Sequence, residues 1–278
     1  MVWQLPNLAA LASMLHPGDV SGDWRPEAFP GWCREDAENL VACQNEREDA
    51  DRVLADFEVV DLEHRAAAAT YGPDGPNKRT RYRRVRLSSR RVVISLHQTG
   101  VERTEARWRK SAHRVTCNRF IGPTGVRYRV HPLSTRLVAT NRFDRKPWHC
   151  IAIELGGNFE RIDGTGTWYK PDRFGFGRAT DAQLDAAFVE VQHICQEVAD
   201  LGGVVEGIVP HVIAGRDRRG RPNRQACPGS RQWAEVGERA GAELGLAVPA
   251  PGFALGGEPV PEEWHGPYWP LCDRFLAA

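Results

Sequence analysis

The chain lacks an excess of charge of either sign, a long apolar run and a recognisable leader. Its 278 residues carry 37 Lys and Arg against 36 Asp and Glu, a formal net charge of +1, so no general nucleic-acid partner is indicated. No run approaches the roughly 20 apolar residues of a membrane span. The first residues lack a basic segment before an apolar one, so we expect no signal peptide and synthesis in the cytoplasm.

The chain also lacks a cysteine framework. Seven cysteines are an odd number, and they are scattered without regular spacing. This usage favours reduced thiols over a disulfide scaffold. The composition is that of a soluble globular protein with 41% hydrophobic residues, and the length fits one large domain or two small ones.

Breaks in composition divide the chain into four parts. Residues 1–77 form an N-terminal extension, which we expect to be helical because apolar residues recur at helical spacing among charges. Residues 78–91 are a basic linker that either attracts an anionic polymer or is simply solvated. Residues 92–246 form the main domain, and residues 247–278 form a tail rich in proline, glycine and tryptophan.

The main domain shows an alternation of strands and helices. Buried-type strands are predicted at residues 92–96 and 150–155 and a last strand at 204–209, with a glycine-turn hairpin between residues 119 and 130. A long helix is predicted from Thr180 to Asp200, opened by a capping box between Thr180 and Gln183. The pattern predicts an α/β fold with a mixed central β-sheet flanked by helices.

Three side chains in this domain form a ligand set for zinc. His97 and His211 each come at or just after a predicted strand, and Cys227 precedes Pro228 and Gly229. Two imidazoles and one thiolate suit Zn²⁺ and leave a fourth position open. Each residue also has a plainer interpretation, since a histidine ending a strand is often structural and a buried cysteine is often a small apolar side chain. Cys227 as a nucleophile paired with a histidine is a further alternative.

Glu154 lies at the end of the central predicted strand, separated by one residue from two glycines. A carboxylate beside a metal site is the natural candidate to take a proton from the attacking water. The alternative is a solvated residue at the end of a strand.

Five segments, in order, resemble the zinc-dependent N-acetylmuramoyl-L-alanine amidases, the family that includes peptidoglycan recognition proteins and phage lysins. They are residues 97–100 (His-Gln-Thr-Gly), 118–128, 151–157 (Ile-Ala-Ile-Glu-Leu-Gly-Gly), 180–184 and 226–229 (Ala-Cys-Pro-Gly). The resemblance implies the fold of that family, a bound Zn²⁺ held by His97, His211 and Cys227, and Glu154 as general base. It also implies the substrate, which is the amide bond between N-acetylmuramic acid and L-alanine in peptidoglycan.

The sequence departs from the family pattern at two places. Gln225 stands where many members have a lysine two residues before the third ligand, so Arg224 is the candidate for the catalytic cation. Cys117 stands where part of the family has a catalytic tyrosine, which gives Glu154 more importance. Asn158, Trp168 and Tyr169 follow the Glu154 strand and are candidates for substrate binding, although the aromatic residues would equally serve to cap the core.

Two other functions remain open. A non-catalytic peptidoglycan receptor of the same fold would bind the same partner, but such proteins usually lose a zinc ligand, and this chain keeps all three. A zinc peptidase or other amidohydrolase would act on a substrate outside the wall. We expect an enzyme that reaches peptidoglycan after release or export, as a phage lysin or secreted effector does, or one that works in cytosolic recycling.

Overall fold

The computed structural model describes residues 57–63, 83–137, 147–159, 171–175, 177–214 and 227–276. All of them belong to one compact unit, Phe57–Ala278. Most of the predicted N-terminal extension lies outside the described residues. Within the described ranges, no helix combines the length and the apolar character needed to cross a membrane.

Ten strands are present in the described ranges. They are β1 (Val59–Asp61), β2 (Arg83–Arg84), β3 (Arg91–Gln98), β4 (Arg119–Ile121), β5 (Arg127–Arg129), β6 (Thr135–Arg136), β7 (Trp148–Leu155), β8 (Val205–Pro210), β9 (Val248–Pro249) and β10 (Phe275–Leu276). Six of them form the central sheet in the order β1-β5-β4-β7-β3-β8. Only β4 and β5 pair antiparallel in this sheet, and its other neighbours are parallel. The predicted mixed sheet is confirmed.

The helices are α1 (Glu105–Ser111), α2 (Pro171–Phe174), α3 (Asp181–Asp200), α4 (Ser230–Gln232) and α5 (Arg239–Leu244), with a π-helical turn, Trp233–Glu238, joining α4 to α5. Short 3-10 turns cover Leu87–Ser89, Ala112–Arg114, His211–Ile213, Glu262–Trp264 and Trp269–Leu271. The long predicted helix is therefore confirmed as α3, one residue shorter at its start.

The start of α3 explains how the helix is joined to the sheet. Thr180 accepts a hydrogen bond from the Gln183 backbone N–H at 3.1 Å, as the capping box predicts. The Gln183 side chain does not complete the capping box. It is buried, and its amide donates instead to the carbonyls of Ile121 and Gly156 at 3.1 and 3.2 Å. Gln183 thereby ties α3 to the ends of β4 and β7.

Two apolar layers cover the sheet. The larger contains the inward residues of α3, such as Leu184, Val191 and Ile194, packed with apolar residues of β3, β7 and β8. The smaller contains Trp108 of α1 and Phe120 of β4, whose ring centroids are 4.7 Å apart. Helices on both faces make the central strands fully buried, which is why they read as continuous apolar runs.

The first strand was not predicted. The spacing of apolar residues in the N-terminal extension predicted helices, but residues 59–61 form β1, which pairs in parallel with β5. Its edge position exposes Val59 and leaves Val60 half-buried, so the strand carries no continuous apolar run. Pairing with β5 determines the conformation here and overrides the local pattern.

The C-terminal residues complete the unit. β9 and β10 pair in parallel, and the Val248 N–H donates to the Arg274 carbonyl at 3.0 Å. Trp264 is buried in the main core. Residues 247–276 therefore pack as an integral layer beside β8 and the C-terminal helices.

None of the described cysteines, which are Cys117, Cys150, Cys195, Cys227 and Cys272, is joined in a disulfide. Cys33 and Cys43 lie outside the described residues. The reduced state of the thiols stays a prediction.

His131 makes the stability of the fold dependent on pH. Burial lowers the pKa of His131 from 6.5 to about 4, so between these values the unfolded chain binds a proton that the folded chain does not. Stability supplied by the neutral ring is present above pH 6.5 and is lost as the pH falls towards 4. We expect His131→Gln to lose less stability than the parent between pH 7 and pH 5, measured by urea unfolding with a chelator present. Equal losses would show that His131 does not contribute.

Candidate metal centre

The ends of two parallel strands bring the two histidines together. His97 is the seventh residue of β3, which pairs with β8 up to Leu96 and Pro210. His211 comes directly after Pro210 and begins the 3-10 turn His211–Ile213. Because adjacent parallel strands end at the same edge of a sheet, both imidazoles lie at the carboxyl edge, where α/β folds place their sites.

Cys227 reaches the same edge of the sheet after a long connection from the His211 turn. It follows residues 215–226, which lie outside the described ranges, and it is joined to Pro228 by a cis peptide bond. The Val212 N–H donates to the Cys227 carbonyl at 2.8 Å. The Gln98 N–H donates to the Cys227 sulfur at 3.4 Å. The backbone of Cys227 is therefore hydrogen-bonded to the His211 turn, and its sulfur is hydrogen-bonded to the end of β3.

The three side chains form one cluster. One ligand atom from each of His97, His211 and Cys227 lies within 4.8 Å of the others. The imidazole centroids are 4.3 Å apart with an interplanar angle of 52°. The residues are 4%, 7% and 2% exposed, respectively. Among the residues that the structure describes, this is the one group of three potential metal ligands.

This donor set fits zinc. Tetrahedral bonds of about 2.0–2.3 Å hold ligand atoms roughly 3.3–3.8 Å apart, and the ligand atoms of this cluster lie within 4.8 Å of one another. Burial also suits a thiolate that is neutralised by a cation, since an isolated buried charge is costly. The N–H of Gln98 supplies a hydrogen bond of the kind that outer-shell groups give to metal-bound sulfur. The predicted ligands are thus assembled as a possible zinc site.

Glu154 stands beside the cluster. It is in register with His97 on β3 and with Phe120 on β4. Residues in register on adjacent strands, about 4.8 Å apart, direct their side chains to the same face. Glu154 is partly exposed, in contrast to the buried Ile153 and Leu155 that flank it. A carboxylate in this place faces the same side as the His97 imidazole and remains accessible to water.

Cys117 belongs to the surroundings of Glu154. It is fully buried in the smaller apolar layer. Burial, and secondly the charge of Glu154, raise the pKa of its thiol well above the usual value. Cys117 is therefore a neutral thiol near the carboxylate, at the position where the family resemblance places a tyrosine.

Aromatic rings pack against the two glycines after Glu154, so the glycines do not leave open space there. An added Cβ at Gly156 would lie 2.7 Å from atoms of both Trp108 and Phe120, and one at Gly157 would lie 2.1 Å from the Phe159 ring. The rings fill the space that a side chain would take.

Asn158 is placed as a support for the loop. It is fully buried, and its side-chain amide donates to the Gly175 carbonyl at 2.7 Å. The Gly177 N–H donates to the Asn158 carbonyl at 3.1 Å. The role of Asn158 in substrate binding stays a prediction. Trp168, Tyr169 and Arg224 lie outside the described residues, and their roles stay predictions.

Two glutamines support the cluster and were not predicted. The Gln98 side-chain oxygen accepts the Phe159 N–H at 2.6 Å, and Gln232 of α4 donates to the His97 carbonyl at 3.3 Å. The sequence offered one signal for the supporting role of Gln98, which is its place next to the ligand His97 in the His-Gln-Thr-Gly segment. Gln232 carried no signal, because its contact spans 135 residues.

Neither the models of protein families nor the sequences of curated proteins match this chain. Solved structures do resemble it. The N-acetylmuramoyl-L-alanine amidase LysC from Clostridium intestinale URNW is 13% identical, with a TM-score of 0.40 over 68% of this chain and 98% of that one. Drosophila peptidoglycan recognition protein SD is 18% identical, with a TM-score of 0.38 over 63% and 89%. The Ph2119 endolysin, from a bacteriophage of Thermus scotoductus MAT2119, is 12% identical, with a TM-score of 0.32 over 62% and 92%.

These similar structures are amidases, endolysins and recognition proteins. They come from the group that the sequence motifs resemble. The assignment of chemistry to this chain depends on its own residues.

Replacing Cys227 separates the ligand from the nucleophile interpretation. Cys227→Asp should still bind zinc and keep part of any activity, because a carboxylate is an acceptable zinc ligand. A covalent mechanism needs the thiolate itself and does not survive this change. Zinc content and activity of the variant are the measurements, together with iodoacetamide labelling of Cys227 before and after chelation. Rapid labelling with zinc present, in combination with a zinc-loaded but inactive aspartate variant, would favour the nucleophile.

Proposed function

We propose that the protein is a zinc-dependent hydrolase of peptidoglycan that cleaves the amide between N-acetylmuramic acid and L-alanine of the stem peptide. The observation that carries the proposal is the convergence of His97, His211 and Cys227 within 4.8 Å, beside Glu154 in register with His97. These residues come from the segments whose motifs resemble the N-acetylmuramoyl-L-alanine amidases. The substrate follows from that resemblance, and the hydrolytic chemistry follows from the residues.

His97, His211 and Cys227 would hold the metal. When bound, zinc supplies a Lewis acid that polarises a carbonyl oxygen and lowers the pKa of a coordinated water. Three protein ligands leave a coordination position for this chemistry, as in catalytic zinc sites generally. The burial of all three side chains keeps competing water away from the ligands.

Glu154 would move the proton. Its carboxylate accepts a proton from the attacking water and then donates it to the nitrogen of the leaving L-alanine, so that one group serves as base and then as acid. The C–N bond breaks as the new C–O bond is retained, which yields a lactoyl carboxylate and a free amino terminus. The mixed environment of Glu154, between the buried Cys117 side and solvent, suits a group that changes its protonation state.

The developing negative charge on the carbonyl oxygen needs a further cation or donor. We assign this role to Arg224, which stands next to Gln225 and three residues before Cys227. Trp168 and Tyr169 would line the groove for the glycan or the stem peptide. The protein would be made in the cytoplasm and reach the wall after release or export, or act on wall fragments in the cytosol.

A soluble substrate tests the proposed bond specificity. Zinc-loaded protein should convert an N-acetylmuramoyl peptide into N-acetylmuramic acid and a peptide with a free L-alanine amino group, detected by mass spectrometry. The same peptide carrying a simple acetyl group should react much more slowly. Equal rates on the two substrates would favour a general zinc peptidase or amidohydrolase. Binding to insoluble peptidoglycan without product from either substrate would favour a receptor.

A further inference from the structure

The C-terminal segment of residues 253–266 lies against the turn that carries His211. The N–H groups of Leu255 and Gly257 both donate to the Ile213 carbonyl, at 2.8 and 2.9 Å, and the N–H of Glu258 donates to the Val212 carbonyl at 3.0 Å. Three backbone hydrogen bonds thus satisfy the carbonyls of a single 3-10 turn. This contact is absent from any motif in the sequence, because it joins residues more than 40 positions apart.

Gly257 is the point of closest approach. A Cβ built on Gly257 would lie 1.9 Å from the Val212 oxygen, 2.6 Å from the Ile213 carbonyl carbon and 2.8 Å from the Ala214 nitrogen. All three are backbone atoms, which cannot move aside as a flexible side chain does. Any other residue at this position must displace the segment or the turn. The position therefore requires glycine because two backbones touch there.

The same turn is connected to the cysteine ligand. Val212 accepts from Glu258 through its carbonyl and donates through its N–H to the Cys227 carbonyl at 2.8 Å. A displacement of Val212 would therefore reach both His211, its neighbour in sequence, and Cys227. The C-terminal segment thus contacts the backbone that sets two of the three ligand positions.

The far end of the segment is anchored on the C-terminal helix. The His265 Nδ1 lies 2.6 Å from a carboxylate oxygen of the buried Glu238, and the Gly266 N–H donates to the other oxygen at 2.8 Å. Trp264 is 2% exposed. Glu238 belongs to the π-helical turn that follows α4, and Gln232 of α4 donates to the His97 carbonyl. One helix therefore holds both the segment and the strand of the remaining ligand.

We propose that residues 253–266 are a positioning element of the metal centre, which fixes His211 for metal binding through the backbone contact at Gly257. The inference rests on the proposed function insofar as that function needs a metal at His97, His211 and Cys227. Ligands held in place before the metal arrives lose less conformational freedom on binding it, and groups outside the ligand shell typically change metal affinity by about 10- to 100-fold.

Gly257→Ala is the direct test. Its control is Gly241→Ala in α5, where an added Cβ would lie 2.7 Å from Val248 and 2.9 Å from the Cys272 sulfur. The control crowds the same C-terminal layer at side chains and has no contact with the His211 turn. Zinc affinity is measured by competition with a chromophoric chelator, and ligand geometry by the visible absorption of the Co²⁺-substituted protein.

We expect Gly257→Ala to bind zinc about 10- to 100-fold more weakly than the parent and to give an altered Co²⁺ spectrum. Gly241→Ala should stay within about threefold of the parent in affinity, with the parent spectrum, even if it unfolds more easily. A folded Gly257→Ala protein with the affinity and spectrum of the parent would overturn the proposal.

Hydrogen exchange in the unaltered protein gives a second test that does not depend on a variant folding. Coupling between two sites is reciprocal, so zinc should slow the exchange of the amides of Leu255, Gly257 and Glu258. The amide of Val248, which bonds to Arg274, is the internal reference. Unchanged exchange at residues 255–258 in protein shown to contain zinc would overturn the proposal. A parent protein that binds no zinc would instead refute the metal site on which the proposed function depends.

Discussion

His97→Ala and His211→Ala should each remove zinc from the protein or weaken its binding by more than about 100-fold, beyond the range of outer-shell changes. Each change leaves one imidazole and one thiolate, and a two-ligand site holds zinc poorly. Hydrolytic activity should be lost with the metal. Metal content after dialysis against a weak chelator, and activity at a fixed zinc concentration, are the measurements.

His193→Ala is the matched control for the two ligand variants. His193 is exposed on α3 and belongs to no metal-ligand group among the described residues. The control should keep zinc and activity. Full zinc occupancy in His97→Ala or His211→Ala would show that the ligand set is wrong.

Glu154→Gln should lower activity by about 10²- to 10⁴-fold, the usual contribution of general acid–base catalysis, while zinc content and stability stay near those of the parent. The amide keeps the size of the side chain and removes its ability to take a proton. Because Glu154 is in register with His97 but is not part of the ligand cluster, the metal should be retained. The measurement is the turnover rate of zinc-loaded protein with the muramyl peptide.

Glu243→Gln serves as the control for this change, since Glu243 pairs with Arg239 on the exposed side of α5. It should leave turnover unchanged. A decrease of less than about tenfold in Glu154→Gln would assign Glu154 a structural role, and a loss of zinc would place it among the groups that hold the metal.

The central strands could be predicted because burial on both faces leaves a strong local signal. β3 and β7 are runs of β-branched and apolar residues, and both appear at the expected places, with extensions of one or two residues at their ends. α3 could be predicted equally well, because its apolar stripe and its cap at Thr180 are both visible in the local sequence. Local pattern and tertiary packing agree in these elements.

Other elements depend on contacts that no local pattern contains. β1 is a three-residue edge strand, and its strand conformation comes from pairing with β5 about 68 positions later. The segment that supports His211 reads as a loop of glycine and proline, and only the close approach at Gly257 shows its role. Gln183 has the sequence of a capping residue, but burial against two carbonyls draws it into the sheet.

The residues of the site divide in the same way into those with a local sequence signal and those without one. His97, His211 and Cys227 were predicted from short motifs, and the structure brings them together. Asn158 was predicted to bind substrate because it follows the Glu154 strand; the structure buries its side chain, and the binding role stays a prediction. The position of a residue in the sequence indicated whether it comes near the site. The direction of its side chain depends on the path of the backbone, which the sequence motifs do not contain.

Digestion of purified peptidoglycan sacculi is the most direct test of the central claim, which is zinc-dependent cleavage of the bond between N-acetylmuramic acid and L-alanine. Zinc-loaded protein should release stem peptides that begin with a free L-alanine and leave glycan strands with unsubstituted lactoyl groups, as identified by mass spectrometry. Chelated protein and Glu154→Gln should release almost none. Release of disaccharide peptides with the amide intact, or release that continues at the same rate after verified removal of zinc, would contradict the account.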